Sequence, residues 1–239
     1  MIYRIYPDYP ALCRAVSDLI NAYIRQKPDA IICLASGHTP LGVMDNFRED
    51  ALAGKIDVNH VTFIGMDEWV GIPSTNPGSC RYQLDEKIFG PLNIPSARII
   101  FFDSLAQDLL SEVNKVNNFL DAHGGLDILL AGIGMNGHIA MNEPGTPFNA
   151  KAHVARLSET TRIVGQKYFD SATELDLGLT IGLQHFAEAR LPILMANGAK
   201  KLDIMRKTLA APPLTAIPAS IVQTLLYAWV MVDEAAARE

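Results

Sequence analysis

The chain has 239 residues, a formal net charge of −6, and a composition 49% hydrophobic and 19% charged. That length fits a single α/β unit with ample core. The mild acidity argues against a broad nucleic-acid-binding face, which needs clustered Lys and Arg, but leaves room for a locally positive pocket that takes a small anion. Cys13, Cys33 and Cys80 are odd in number and far apart, so no disulfide framework or metal-type spacing is implied. No apolar run approaches the ~18 residues of a membrane span. The opening MIYRIYPDYPALCR lacks the basic-then-apolar layout of a signal peptide. The expectation is a soluble, cytoplasmic protein.

In chain order, residues 1–6 alternate weakly and read as an edge strand. A helical pattern then begins at Pro10, with Leu12, Val16, Leu19, Ile20 and Tyr23 on one face, and runs to about Lys27. Residues 30–34 form a short buried strand. The small-residue loop Ala35-Ser36-Gly37-His38-Thr39-Pro40 follows, with Pro40 placed as the first residue of the next helix. Strand, Gly/Ser/Thr loop and helix is a layout that presents backbone N–H groups to an anion. It is equally the layout of a plain βα turn, and the Walker A pattern is absent.

Residues 61–66 are a second apolar run, ending in Asp67-Glu68-Trp69, which reads either as a solvated turn or as a polar group set at a strand end. A turn-rich stretch over 72–78 and a helix over 79–89 come next. Residues 99–102 read as a strand, with Asp103 or Ser104 capping a helix over 105–123. Gly124 and Gly125 stop that helix.

The stretch LDILLAGIGMNGHIAMNEP, 126–144, opens as a buried strand and breaks into Gly132, Gly134 and Gly137. Such glycines let the backbone turn sharply and let a ligand approach it. His138, Asn142 and Glu143 follow at once. In an open α/β sheet this is where a ligand sits, beyond the carboxyl ends of the strands.

Further on, 154–157 and 177–181 read as strands, with a helical stretch between them that runs to Phe169 and carries Lys167. A turn of helix lies near His185, a clear buried strand spans 191–196, and a helix after Lys200-Lys201 runs to about Leu209. A short helix begins at 217–220, and 227–232 is a last strand. Strands alternate with helices throughout. The expected fold is therefore α/β: an open, mostly parallel Rossmann-like sheet with helices on both faces, in a single domain over 1–239.

Several strand ends carry chemistry: hydroxyls and N–H groups after Leu34, Asp67 after Met66, His138 and Glu143 after Ala131, and Lys201 after Ala196. Anion donors, a carboxylate, an imidazole and a lysine together suit proton transfers on a phosphorylated small molecule. There is no GxSxG elbow, no HExxH and no GxGxxG fingerprint, so no metal and no nicotinamide cofactor is expected.

These residues reach a resemblance. LASGHTPLG (34–42), MDEWVGIP (66–73) and GIGMNGHIAMNEPGT (132–146) resemble the glucosamine-6-phosphate deaminase family, in the same order and over nearly the whole chain. The broader superfamily includes 6-phosphogluconolactonases, whose motif resembles GxGxDGH with an ending closer to SLFP; Asn142-Glu143-Pro144 here favours the deaminases. The resemblance implies conversion of a hexosamine 6-phosphate to a ketohexose 6-phosphate plus ammonia, without an organic cofactor. It implies Asp67 as the base moving a proton between C2 and C1, His138 as the group assisting ring opening, and Glu143 as the carboxylate orienting that imidazole. It implies a phosphate held by the loop residues Ser36, Gly37, His38 and Thr39 together with Lys167 and Lys201.

Three positions depart from the family pattern. Asn136, placed with Asp67, His138 and Glu143 in the implied catalytic set, stands where many members have Asp, His38 replaces a Gly, and Lys167 stands where Arg is common, which keeps the charge but loses the bidentate fork. The shorter C-terminus implies no activator site and a monomer or small homo-oligomer. Trp69, in place of a Tyr, and the segments CLASGHTPLG, DEWVGIPSTNPGSC and AIPAS look closer to the galactosamine-6-phosphate branch. The alternatives are a lactonase acting on a phosphosugar lactone and a sugar-phosphate-binding regulator without turnover. The expected partner is the phosphosugar, with no nucleic acid and no membrane.

Overall fold

The computed structural model describes residues 1–210 and 212–237. Its strands are β1 (Ile2–Tyr6), β2 (Ile31–Leu34), β3 (Thr62–Gly65), β4 (Asp67–Trp69), β5 (Ile99–Ile100), β6 (Ile128–Gly132), β7 (His153–Arg156), β8 (Leu177–Thr180), β9 (Leu191–Ala196) and β10 (Trp229–Asp233). Its helices are α1 (Tyr9–Gln26), α2 (Leu41–Leu52), α3 (Cys80–Leu84), α4 (Leu109–His123), α5 (Glu159–Gly165), α6 (Leu183–Glu188), α7 (Leu202–Leu209) and α8 (Glu234–Ala237). A π-helical turn, Asp85–Phe89, continues α3, and 3₁₀ turns span Gln166–Tyr168, Ala199–Lys201 and Pro218–Thr224.

Seven strands form one sheet in the order β1-β10-β9-β6-β2-β3-β5, and every pairing is parallel. The alternation of side chains along each strand divides the core between the two faces. Ile32 and Leu34 of β2 pack with Val16 and Ile20 of α1 and Phe47 of α2. Ile31 and Cys33, one residue out of step, pack with Val116 and Leu120 of α4 and Phe186 of α6. Both faces are covered, so the strands read as continuous apolar runs.

The chain builds outward from β2 through β3 to β5, then returns to the other side of β2 with β6 and continues to β9 and β10. The loops after β2 and β6 therefore leave neighbouring strands in opposite directions and open a crevice between them, the general position of ligand sites in such sheets.

A second, antiparallel sheet, β4-β8-β7, was not expected from the strand–helix alternation. The chain passes from β3 through Met66 into β4, so Asp67-Glu68-Trp69 is a strand and not a solvated turn. This small sheet also holds the glycine-rich loop. Met141 N donates to Thr180 Oγ1 at 3.1 Å, and Asn142 Nδ2 donates to the carbonyls of Ile139 and Ile181 at 2.9 and 2.8 Å.

Two helix starts differ from expectation. Pro40 is the N-cap of α2 and not its first residue. Helix α4 begins at Leu109, capped by Asp108, whose Oδ1 accepts from the N–H groups of Leu110 and Ser111. The expected cap residues are engaged elsewhere: Asp103 Oδ1 accepts from Leu105 N, and Ser104 Oγ donates to the Ile72 carbonyl. No helix of the described residues is long and apolar enough to cross a membrane.

Candidate active site

A cleft of about 610 Å³ opens over the carboxyl ends of β2, β6 and β9. Its lining includes Ser36, Gly37, His38, Thr39, Asp67, His138, Lys167 and Lys201, which stand far apart in the sequence. Asn136 and Glu143 are not on its surface and stand behind the imidazole.

Asp67 sits where β3 turns into β4, its carboxyl lodged among protein groups at the base of the cleft. Burial pushes its pKa up to about 7; a hydrogen bond from the Cys80 thiol acts the other way, and the neighbouring Glu68 raises it further. The adjacent carboxylate has a different job. Glu68 is 1% exposed and accepts from Trp69 N at 2.9 Å, Ser79 Oγ at 2.7 Å, Cys80 N at 3.0 Å and Arg81 N at 2.9 Å. It ties β4 to the start of α3, which brings Cys80 against Asp67.

His138 lies over Gly134 so closely that a Cβ there would stand 2.3 Å from Nε2. Gly137, at φ +86°, makes the turn that returns the chain to this position. On the other edge of the ring, Nδ1 lies 3.2 Å from Thr161 Oγ1 and 3.9 Å from Glu143 Oε2. Burial lowers the imidazole to about 4, Glu143 opposes that, and Lys201 adds to it. The ring is therefore neutral at ordinary pH.

Asn136 is a support for this ring. Its Oδ1 accepts from His138 N at 3.2 Å, and its Nδ2 donates to Glu143 Oε2 at 2.8 Å and to Ser158 Oγ at 3.1 Å. The backbone N–H can only donate and the carboxylate only accept, which sets the amide's orientation.

The cleft also carries three lysines, Lys167, Lys200 and Lys201. Lys201 donates to the Ile133 carbonyl and is lowered to about 8, first by burial and then by Lys167. Lys167 is lowered by burial and by Lys200. Among the described residues no ion pair joins Lys167, Lys200 or Lys201 to a carboxylate. Three uncompensated ammonium groups in one cleft favour an incoming anion.

The loop after β2 lines the same cleft. Gly37 has φ +92°, and a Cβ there would meet Tyr168 Oη at 2.8 Å. His38 stacks on Tyr168 with ring centroids 5.3 Å apart, and Lys167 Nζ stands 4.9 Å from the same ring. Tyr9 Oη donates to the Thr39 carbonyl at 3.0 Å and accepts from Gly42 N at 2.9 Å, pinning the loop to α1. His38 thus occupies its place as a wall residue, packed on the tyrosine.

Thr161, Tyr168, Cys80 and Lys200 line the cleft without having been expected there. Thr161 and Tyr168 lie on α5 and its continuation, away from any strand end. Among the described residues no group of three or more His, Cys, Asp or Glu side chains is placed to hold a metal ion.

The model of the glucosamine-6-phosphate isomerase/6-phosphogluconolactonase family matches residues 9–229. The chain belongs to this family. It is 34% identical to the glucosamine-6-phosphate deaminase of Lachnoclostridium phytofermentans over 217 residues, covering 90% of this chain and 92% of that one. A solved structure of a monomeric glucosamine-6-phosphate deaminase superposes with a TM-score of 0.95 at 30% identity, covering 99% of this chain and 98% of that one. The 6-phosphogluconolactonase of Trypanosoma brucei shares the fold, with a TM-score of 0.80 at 19% identity over 98% of this chain and 97% of that one. The mostly parallel α/β fold expected from the sequence is thus the family's fold.

Proposed function

We propose that this chain is a hexosamine-6-phosphate deaminase, converting a 2-amino-2-deoxyhexose 6-phosphate and water to the ketohexose 6-phosphate and ammonia. The observation that carries this reading is the placement of Asp67 and His138 in one cleft that also holds Lys167, Lys200 and Lys201. A carboxyl raised to about 7 is half ionised at neutral pH and well matched to taking a carbon-bound proton.

The phosphate binds against Lys167, Lys200, Lys201 and the backbone of Ser36, Gly37, His38 and Thr39. This anchors one end of the sugar and leaves its other end beneath the imidazole and the carboxylate. His138 takes the O1 proton and delivers it to O5, which breaks the C1–O5 bond and opens the ring. Asp67 then removes the C2 proton and returns it at C1, while a proton passes from the 2-ammonium group to O1. C1 is reduced and C2 oxidised within one molecule, so no external oxidant is required. The resulting 2-imine adds water at C2 and expels ammonia. Glu143, with its Oε1 buried and without a partner, stabilises the cation that forms on the imidazole during the transfer.

The lactonase alternative is weaker, because the lactonase structures are alike in fold alone while the deaminase relatives cover nearly the whole chain at higher identity. Glucosamine 6-phosphate is the substrate carried over from the names of those relatives. Trp69, one basis for the galactosamine reading, walls the cleft and packs edge-on against Phe169 at 6.2 Å. An ammonia-release assay with the two C4 epimers side by side tests the function and the preference together. Release from one of them supports the reading; hydrolysis of a phosphosugar lactone with no ammonia from either epimer overturns it. We also carry over the monomeric state of the solved relative and place the protein in the cytoplasm, where sugar phosphates are held; gel filtration and fractionation check both.

A further inference from the structure

We propose that Thr161 is the positioning residue for His138, holding Nδ1 through its hydroxyl and tying the imidazole to the helix that leads to Lys167. This rests on the ring-opening role given to His138. The distances separate the two neighbours of Nδ1. Thr161 Oγ1 is within hydrogen-bond reach at 3.2 Å, whereas Glu143 Oε2, at 3.9 Å, is not.

The chemistry separates them too. A carboxylate can only accept from Nδ1–H. A hydroxyl can accept from Nδ1–H and can also donate to a bare Nδ1. Thr161 therefore stays bonded to the ring wherever the proton sits, and Glu143 supplies the charge that favours the doubly protonated ring. This division leaves the ring orientation undisturbed while Nε2 exchanges protons with O1 and O5.

The hydroxyl is itself held. Thr161 is 5% exposed. Its backbone N–H donates to Ser158 Oγ at 3.2 Å, Ser158 Oγ lies 3.2 Å from Thr161 Oγ1, and Asn136 Nδ2 reaches the same serine at 3.1 Å. Ser158 is the N-cap of α5, so the network fastens the start of that helix to the imidazole. Two residues beyond its end stands Lys167. Anchoring of the phosphate and aim of the imidazole are thereby placed on one short segment.

The test compares Thr161→Val with Thr161→Ser, using ¹⁵N NMR of the His138 ring and steady-state kinetics. Valine removes the hydroxyl that holds Nδ1 and leaves the Glu143 carboxylate at 3.9 Å. The ring population should move toward Nδ1–H, the form that already leaves Nε2 bare, so the fall of about tenfold expected in kcat with the cyclic substrate reports lost aim of the ring and not a wrong tautomer; KM should stay within about threefold. Serine should restore the wild-type ¹⁵N pattern and most of kcat. An unchanged tautomer ratio in the valine variant, or a serine variant no better than valine, overturns the proposal. If the valine variant does not fold, the serine variant decides: a shifted ¹⁵N pattern despite its hydroxyl overturns the assignment, and a wild-type pattern supports it. Because the ¹⁵N readout needs no turnover, its result is separate from whether ammonia is released.

Discussion

Asn136 Nδ2 lies 2.8 Å from Glu143 Oε2, so an amide donor stands where the family pattern often places a second carboxylate. The amide relieves the site of like-charge repulsion behind His138. In Asn136→Asp, two carboxyls would share that contact, and one must hold a proton that it would release in the unfolded chain. The native state then binds more protons than the unfolded one across the carboxylate range and above, so stability falls as pH rises. We expect a melting temperature lower than wild type at pH 8 by a few degrees, on the order of 1–2 kcal/mol, with the gap narrowing toward pH 5. Thermal unfolding at the two pH values checks this.

Asp67→Asn should reduce ammonia release at least 100-fold while leaving phosphate-analogue binding within about threefold, because the phosphate contacts are assigned to the lysines and the loop after β2 and not to Asp67. It should also stabilise the fold. The folded pKa of Asp67 is raised to about 7 from 3.8, so the wild-type native state loses stability as pH climbs from about 4 to about 7. Asparagine has no such dependence. Its melting temperature should exceed that of wild type by several degrees at pH 8 and by little at pH 4.5. Calorimetry at both values provides the comparison.

The pH profile of kcat/KM should be a narrow bell. Its rising limb follows ionisation of Asp67 near 7, and its falling limb follows loss of the Lys201 charge near 8. The imidazole, lowered to about 4, is already neutral through this range. In Lys201→Arg the falling limb should disappear, since a guanidinium does not titrate there. Initial rates from pH 5.5 to 9.5 for both proteins read this directly.

Gly134→Ala should fold but act poorly. Its Cβ would stand 2.3 Å from His138 Nε2, so the ring must shift from its place in the cleft. A loss of kcat of about tenfold or more is expected, with KM little changed, since misplacing a reacting group by an ångström costs up to ~100-fold. His138→Gln should slow the cyclic substrate more than an open-chain one. Equal losses on both would speak against ring opening by this residue.

The centre of the seven-stranded sheet was legible because β2, β6 and β9 are buried on both faces and show as apolar runs. The residues at the ends of β2, β3, β6 and β9 were legible for the same reason. In the small second sheet β7 and β8 were legible as strands, but β4 and the antiparallel pairing were not, since β4 is only three residues, Asp67–Trp69, and two of them are charged. Nothing in the spacing of 158–168 places Thr161 against the imidazole or Tyr168 over Gly37; those contacts come from the way α5 folds across the cleft. The start of α4 was misplaced because Asp103, Ser104 and Asp108 are all good caps, and tertiary contacts settle which one serves. Lys200 was passed over because it neighbours Lys201, and only the fold shows both on one cavity wall.

The most direct measurement follows the hydrogen on C2. With a hexosamine 6-phosphate deuterated at C2, the wild-type protein at pH 7.5 should move the label to C1 or release it to solvent, and Asp67→Asn should leave it in place. A label that stays on C2 while the phosphosugar is bound to the wild-type protein, or one lost equally fast from the asparagine variant, would contradict the account.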